Sequence, residues 1–445
     1  MADDQIPRPW SRSDRPVPRT LVRPIQEYLR SSVSGASLMV GAAVVALVWA
    51  NLGASYDSLW TTPAVVRLGG LTVGGDLRFW VNEGLMTGFF LLAGLEIRRE
   101  LAAGELRDPR TAALPVLGAI GGMVVPALLF LAATRGTPAA DGWGIAMPTD
   151  VALALGVLAL AVRAAPSPVR PFLVTLAIVD DIGTVIVVGL AYSGRVSWGA
   201  LAVTAAALAA IPLLERAHVR HFAVYLVLGV VAWLGAYEAG LHPALVGAVV
   251  GFLTPPVPFH RPAFVSEEAH RVADETVDEP EPVDADAPAW LELARLSREA
   301  VSPLWRTEHM LLPWVNLLAL PLFALANAGV RLSMDALAAG VERRLIVALV
   351  FARLVGKAVG VAGVCFLLVR FGVGRLPARM GPRPLLGAAL AAGAPFTVSL
   401  FVADAAFPEG SALGDAARLA IVVAALVCGT VALVLLRSAS ARSPG

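Results

Sequence analysis

Four ionisable side chains stand where an apolar chain should not carry them. Asp180 and Asp181 are adjacent in Leu176-Ala177-Ile178-Val179-Asp180-Asp181-Ile182-Gly183, and Asp150 ends the run Gly144-Ile145-Ala146-Met147-Pro148-Thr149-Asp150. Lys357 lies in Leu354-Val355-Gly356-Lys357-Ala358-Val359-Gly360, one turn after Arg353. A charge at bilayer depth costs about 2.5–3.5 kcal/mol on insertion scales, so each is a candidate for function. Successive helix positions point about 100° apart, so the two adjacent carboxylates border one cavity without facing each other. In a low-dielectric site such a pair holds either protons or a small cation. Hard cations such as Na+ and Li+ take oxygen ligands, which Asp180, Asp181 and the Thr149–Asp150 neighbourhood supply. The competing reading, a capping or solvated pair at a helix end, is opposed by the apolar residues on both sides, 172–179 and 182–190. Asp150 also reads as the N-cap of a half-helix after Pro148, a role compatible with lining the site.

Lys357 is the sole lysine among 35 basic residues; the others are arginine. Lysine brings a compact, titratable ammonium that arginine lacks. It reads as an ion partner or proton carrier for the aspartates, or as half of a structural ion pair. A second charge cluster, Gly94-Leu95-Glu96-Ile97-Arg98-Arg99-Glu100-Leu101, is either a self-paired helix end or, with Glu308 and His309, a pH-responsive group. Asp404 reads as an interfacial residue. Cys365 and Cys428 lie in apolar runs and form no metal or disulfide framework.

The elements that must position these groups are membrane helices. The chain has 445 residues, 57% hydrophobic and 16% charged, with a mean hydropathy of +0.72. That excludes an ordinary soluble enzyme or a disordered scaffold. A net charge of +1 argues against a nucleic-acid partner. Apolar runs long enough to cross a bilayer recur at 35–52, 79–97, 112–133, 143–162, 171–193, 198–214, 222–237, 241–254, 310–329, 344–369, 385–407 and 413–436, about twelve crossings. The expected class is an all-α polytopic membrane protein. Most arginines, Arg98, Arg99, Arg107, Arg110, Arg370, Arg375, Arg379 and Arg383 among them, fall in the terminal segments and alternate loops, which predicts both termini on the cytoplasmic side. No short apolar region with a cleavage site precedes the first span, so no removable signal peptide is expected.

The resulting organisation is a cytoplasmic segment 1–34, membrane helices 35–254, an inner loop 255–307, membrane helices 308–437 and a tail 438–445. The strongly acidic inner loop has the composition of a disordered linker, with residues 290–300 able to form an amphipathic helix on the membrane surface. On the outer side, residues 54–78 alternate around Gly69-Gly70 and predict a β-hairpin. Pro148 interrupts the fourth segment and Gly393-Ala394-Pro395-Phe396-Thr397 the eleventh. Segments three to five and ten to twelve then read as inverted repeats with an ion site at the midplane.

These motifs, in this order, resemble the NhaA family of bacterial Na+/H+ antiporters over nearly the whole chain, 23–437 apart from the acidic loop. The resemblance rests on Val81-Asn82-Glu83-Gly84-Leu85-Met86 running into Gly94–Leu101, Thr149-Asp150, Leu176–Asp181, Leu320-Pro321-Leu322-Phe323-Ala324-Leu325-Ala326-Asn327-Ala328-Gly329, Gly356-Lys357 and Phe396-Thr397. The rule that paired interruptions mark the site was drawn partly from this same family. The resemblance implies two interrupted helices that cross, electrogenic exchange of Na+ or Li+ for H+ across the inner membrane, activation at alkaline pH and a homodimer joined through the outer hairpin. No cofactor is implied beyond the transported ions. It further implies that Asp181 is the principal cation ligand and proton carrier, Asp180 its partner, Asp150 with Thr149 the charge balance at the crossing, and Lys357 the ammonium partner of Asp180. Glu96, Arg99, Glu100, Glu308 and His309 would form the pH-responsive cluster. The chain departs from the family pattern at Pro148, which directly precedes Thr149, at Gly393-Ala394-Pro395, at Leu312, where some members have histidine, and in its acidic loop. An intramembrane aspartyl protease is disfavoured, because its two aspartates face each other from separate helices. A channel or another cation-coupled transporter with inverted repeats is the second reading.

Overall fold

The structure, a computed structural model, describes residues 32–68, 71–161, 169–192, 196–217, 219, 222–276, 287–330, 340–372, 376, 380–408 and 410–440. It is helical apart from one hairpin. Strands β1 (Pro63–Leu68) and β2 (Leu71–Asp76) pair antiparallel, with Val66 opposite Val73 and Pro63 opposite Asp76. Gly74, at φ 139°, lies too close to the Ala64 carbonyl for any side chain. The Gly69-Gly70 turn itself lies outside the described residues.

The helices are α1 (Ser32–Leu52), α2 (Met86–Ala103), α3 (Pro109–Thr134), α4 (Pro138–Ala146, wound as a 3-10 helix), α5 (Val151–Ala161), α6 (Val169–Ala191), α7 (Trp198–Arg216), α8 (Phe222–Glu238) and α9 (Leu245–Leu253). They continue with α10 (Pro262–Thr276), α11 (Ala287–Glu299), α12 (Pro303–Trp314, prolonged to Asn327), α13 (Gly340–Phe351, prolonged to Arg370), α14 (Pro382–Ala392), α15 (Thr397–Ala406) and α16 (Ala412–Ser440). Among the described residues seven helices are long and apolar enough to cross a membrane, nine if each bent pair counts as one span. The bent pairs are α4 with α5, at 55°, and α14 with α15, at 46°. Each break contains a proline, Pro148 or Pro395, which donates no backbone hydrogen bond and disfavours helix in the residue before it.

Many large apolar side chains point outward, while alanines share the interior with residues such as Phe130, Leu173 and Phe323. Leu52, Leu190, Leu213, Val347, Phe366 and Leu426 are exposed, whereas Ala388, Ala389, Ala391, Ala392, Ala417 and Ala420 are fully buried. In lipid no hydrophobic force drives helices together, so small residues that let backbones approach decide the packing. Gly121 on α3 and Gly360 on α13 show this reciprocally: a Cβ on either would run into the other's carbonyl. Gly94 on α2 and Gly247 and Gly251 on α9 make a second such contact.

The inner loop differs from the linker its composition suggests. It contains α10 and α11, joined by an apolar seam of Val265, Val272 and Leu293. Seven-residue spacing places Val265 and Val272 on one face, which packs on Leu293. Leu293 of α11 therefore faces α10, while Trp290 and Leu291 remain exposed. The most acidic part, 277–286, lies outside the described residues.

Gly360→Val is expected to force α3 from α13 and destabilise the protein by about 1–3 kcal/mol, seen as a lower melting temperature in detergent. Gly41→Ala, inside α1 with open space around its would-be Cβ, should not lower the melting temperature, since alanine is the better helix former by up to about 1 kcal/mol.

Candidate functional site

Four helical segments, the α4–α5 pair, α6, α13 and α15, meet where the sequence places its buried charges. At the α4–α5 break, Asp150 is 4% exposed. Its Oδ1 accepts from Leu153 N at 3.0 Å, and its Oδ2 accepts from Thr397 N at 3.1 Å and Thr397 Oγ1 at 2.9 Å. One carboxylate thus caps the N-termini of both α5 and α15, whose amides are otherwise unsatisfied and carry partial positive charge. The capping role is realised, and it ties one broken segment to the other.

Asp180 on α6 is fully buried. Its Oδ2 accepts from Lys357 Nζ at 2.7 Å and from Thr149 Oγ1. Lys357 Nζ also donates to Thr149 Oγ1 at 3.0 Å. The hydroxyl therefore accepts from the ammonium and donates to the carboxylate, closing a three-member ring. Lys357 itself is fully buried and sits between two π-helical stretches of α13, Ala352–Gly356 and Ala358–Gly363. Such stretches widen the backbone ladder and recur at functional positions.

Asp181 is arranged differently. It is 7% exposed, and its Oδ1 is buried without a hydrogen-bond partner among the described residues. Asp180 Oδ1 is likewise buried without one. Two adjacent carboxylates thus each keep an oxygen free in a place without bulk water. Chemically, such oxygens bind a proton or a small hard cation.

The remaining predicted residues lie in the last turns of α2 and on α12. Arg99 donates to Glu308, which is buried, and its second Nη lies 3.9 Å from Glu100. Glu96 is half-buried one turn before Glu100 and within electrostatic range of Arg99 and Glu308. His309 points away from this group: it is exposed and stacks on Trp305 with ring centroids 3.6 Å apart.

Two polar networks were not legible as networks in the sequence. Asp404 pairs with Arg418 at 2.7 Å and accepts from Asn82 at 3.0 Å, and Asn82 and Asn327 exchange hydrogen bonds with each other. Glu83 accepts from Ala244 N at 3.0 Å, and His242 Nδ1 lies 2.8 Å from its other oxygen. The available signal was a polar residue inside an apolar run; apart from Asp404 and Arg418, 14 residues from each other, the partners lie more than 150 residues apart.

Comparison with known proteins gives a consistent result. The profile of the family described as Na+/H+ antiporter 1 matches residues 26–436. The Na(+)/H(+) antiporter NhaA 2 of Sorangium cellulosum is 39% identical over 424 residues, covering 94% of this chain and 90% of that protein. The Na(+)/H(+) antiporter NhaA of Cupriavidus necator is 38% identical over 443 residues, covering 97% and 94%. That of an Anaeromyxobacter species is 39% identical, covering 96% and 95%.

Removing the ammonium while leaving its partner strands a carboxylate in the interior. Lys357→Met is expected to destabilise the protein by about 3–5 kcal/mol, and adding Asp180→Asn should restore most of that loss. Thermal unfolding of single and double variants in detergent checks it; equal melting temperatures would contradict the pairing.

Proposed function

The chain belongs to the Na+/H+ antiporter family to which the NhaA proteins belong, and we propose that it exports Na+, or Li+, in exchange for protons that compete for the carboxylates of Asp180 and Asp181. Its relatives are transporters rather than enzymes, and its apolar helices make it a multi-pass membrane protein. The observation that carries the reading is the pair of buried oxygens without a hydrogen-bond partner among the described residues, Oδ1 of Asp180 and Oδ1 of Asp181, beside an ammonium that bonds the other oxygen of Asp180 and Thr149 Oγ1.

Protons arriving from outside neutralise the carboxylates. The loaded site reorients to the inside, where Na+ displaces the protons, and the Na+-loaded site then turns outward. Alternating access of a single site is sufficient, because protons and Na+ exclude each other from the same oxygens. Lys357 acts as an internal cation: it holds Asp180 in the absence of Na+ and yields it, moving aside or losing a proton, when Na+ enters. When more than one proton leaves for a single Na+, the cycle moves net charge, so exchange is electrogenic. At low pH the carboxylates stay protonated and transport stops, so alkaline activation needs no separate regulator. Arg99, Glu100, Glu96, Glu308 and His309 would tune that response from the inner side.

The wider arrangement belongs to the same proposal. The chain crosses the cytoplasmic membrane of a bacterium twelve times, with both termini inside. Its two interrupted helices cross at the ion site, and Asp150 with Thr149 balances charge there. The β1–β2 hairpin joins two copies at the outer face. The bends in α4–α5 and α14–α15 and the hydrogen bonds from Thr397 to Asp150 support the crossing.

Asp181→Asn is expected to abolish Na+-dependent proton movement in everted membrane vesicles, a loss of at least roughly a hundredfold for an essential ligand. Retained exchange in that variant would refute the proposal. Lys357→Arg, which keeps the charge, should insert and fold while shifting the pH range over which Na+ dissipates ΔpH.

A further inference from the structure

Arg353 is fully buried on α13, one turn before Lys357, yet its hydrogen-bond partners include no acid. Its guanidinium donates to Ile145 O, Pro148 O and Ser399 Oγ. The first two flank the exit from α4, where carbonyls lose their helical partners and gather the negative end of the helix dipole. The third lies in the first turn of α15. One rigid fork therefore grips both interrupted segments from the helix that carries Lys357.

The grip has a counterpart. Asp150 holds the N-termini of α5 and α15, while Arg353 holds the C-terminal end of α4, so each break meets a charge of the sign its helix end prefers. Thr149 lies between the two anchors: Pro148 is held by Arg353 on one side, and Asp150 is held by α5 and α15 on the other. Its hydroxyl is thereby aimed at Asp180 and Lys357. We propose that Arg353 is a positioning residue for the cation site: by bonding the α4 exit and Ser399, it fixes the Thr149–Asp150 peptide and leaves Lys357 free to exchange with the transported cation. The division of labour follows from the side chains. A planar five-donor fork with a permanent charge suits a static joint, and a compact ammonium with one carboxylate partner suits a movable one. The inference rests on the reading that Na+ binds at Asp180 and Asp181, which Arg353 does not touch.

The test uses the full chain reconstituted in proteoliposomes, with the apparent KM for Na+, the maximal rate and the melting temperature measured for wild type, Arg353→Gln, Arg353→Lys and Ser399→Ala. Losing the fork should raise the apparent KM for Na+ roughly three- to tenfold in Arg353→Gln while the maximal rate changes by less than about twofold. Arg353→Lys should recover part of the KM, and Ser399→Ala should raise it by a smaller factor. A wild-type KM in folded Arg353→Gln, even with a lower melting temperature, would assign Arg353 to stability alone and overturn the inference. If Arg353→Gln does not fold, Ser399→Ala decides: a raised KM supports the inference and an unchanged one overturns it. A wild type without Na+-dependent exchange would overturn the antiport reading, and this inference with it, whereas unchanged variants beside an active wild type would overturn this inference alone.

Discussion

A charge buried among alanines and leucines needs a partner of opposite sign or a set of oriented dipoles, and that requirement organises this protein. Lys357 meets Asp180 at 2.7 Å with neither side chain exposed. Desolvating two such groups costs several kcal/mol per ion, which their attraction offsets only when geometry and further hydrogen bonds are right. Thr149 supplies the further bonds, accepting from one partner and donating to the other. The pair is therefore held closely enough to persist, yet with one oxygen of Asp180 left over.

The broken helices provide the dipoles. A continuous helix satisfies its own amides and carbonyls and offers nothing to a buried ion. Interrupting two helices at Pro148 and Pro395 frees those groups in the interior, where they must be met. Asp150 meets the amide ends and Arg353 the carbonyl end, so the charges and the breaks stabilise each other. Both breaks, 147–150 and 393–396, are buried in protein, the setting in which irregular backbone is tolerated in a membrane protein.

Away from the centre, the same requirement produces two smaller networks on α2 and the turn before it. Glu83 with His242 and Ala244, and Asn82 with Asn327, Asp404 and Arg418, join segments distant in the chain. Nearer the other end of α2, Arg99 joins Glu308 of α12. Helix pairs are brought close by glycine contacts, such as Gly121 against Gly360 and Gly94 against α9.

Much of this was legible in the residues alone. Hydropathy located seven long apolar helices among the described residues, nine with the bent pairs, against about twelve crossings expected, because a span needs a long apolar run whatever its neighbours are. Pro148 and Pro395 located the breaks, because proline acts on its own backbone. The alternation around Gly69-Gly70 located the hairpin, whose register depends on nearby residues only. The rarity of charge in apolar sequence singled out Asp150, Asp180, Asp181 and Lys357. Partnership was not legible: that Arg353 bonds carbonyls rather than an aspartate, that Asp404 pairs with Arg418, that His309 turns to Trp305 instead of Glu308, and that α10 packs on α11 through Val265 and Leu293. Helix propensity, hydropathy and proline breaks are properties of consecutive residues, whereas a buried charge finds its partner through space, by the helix packing that the whole chain must complete first.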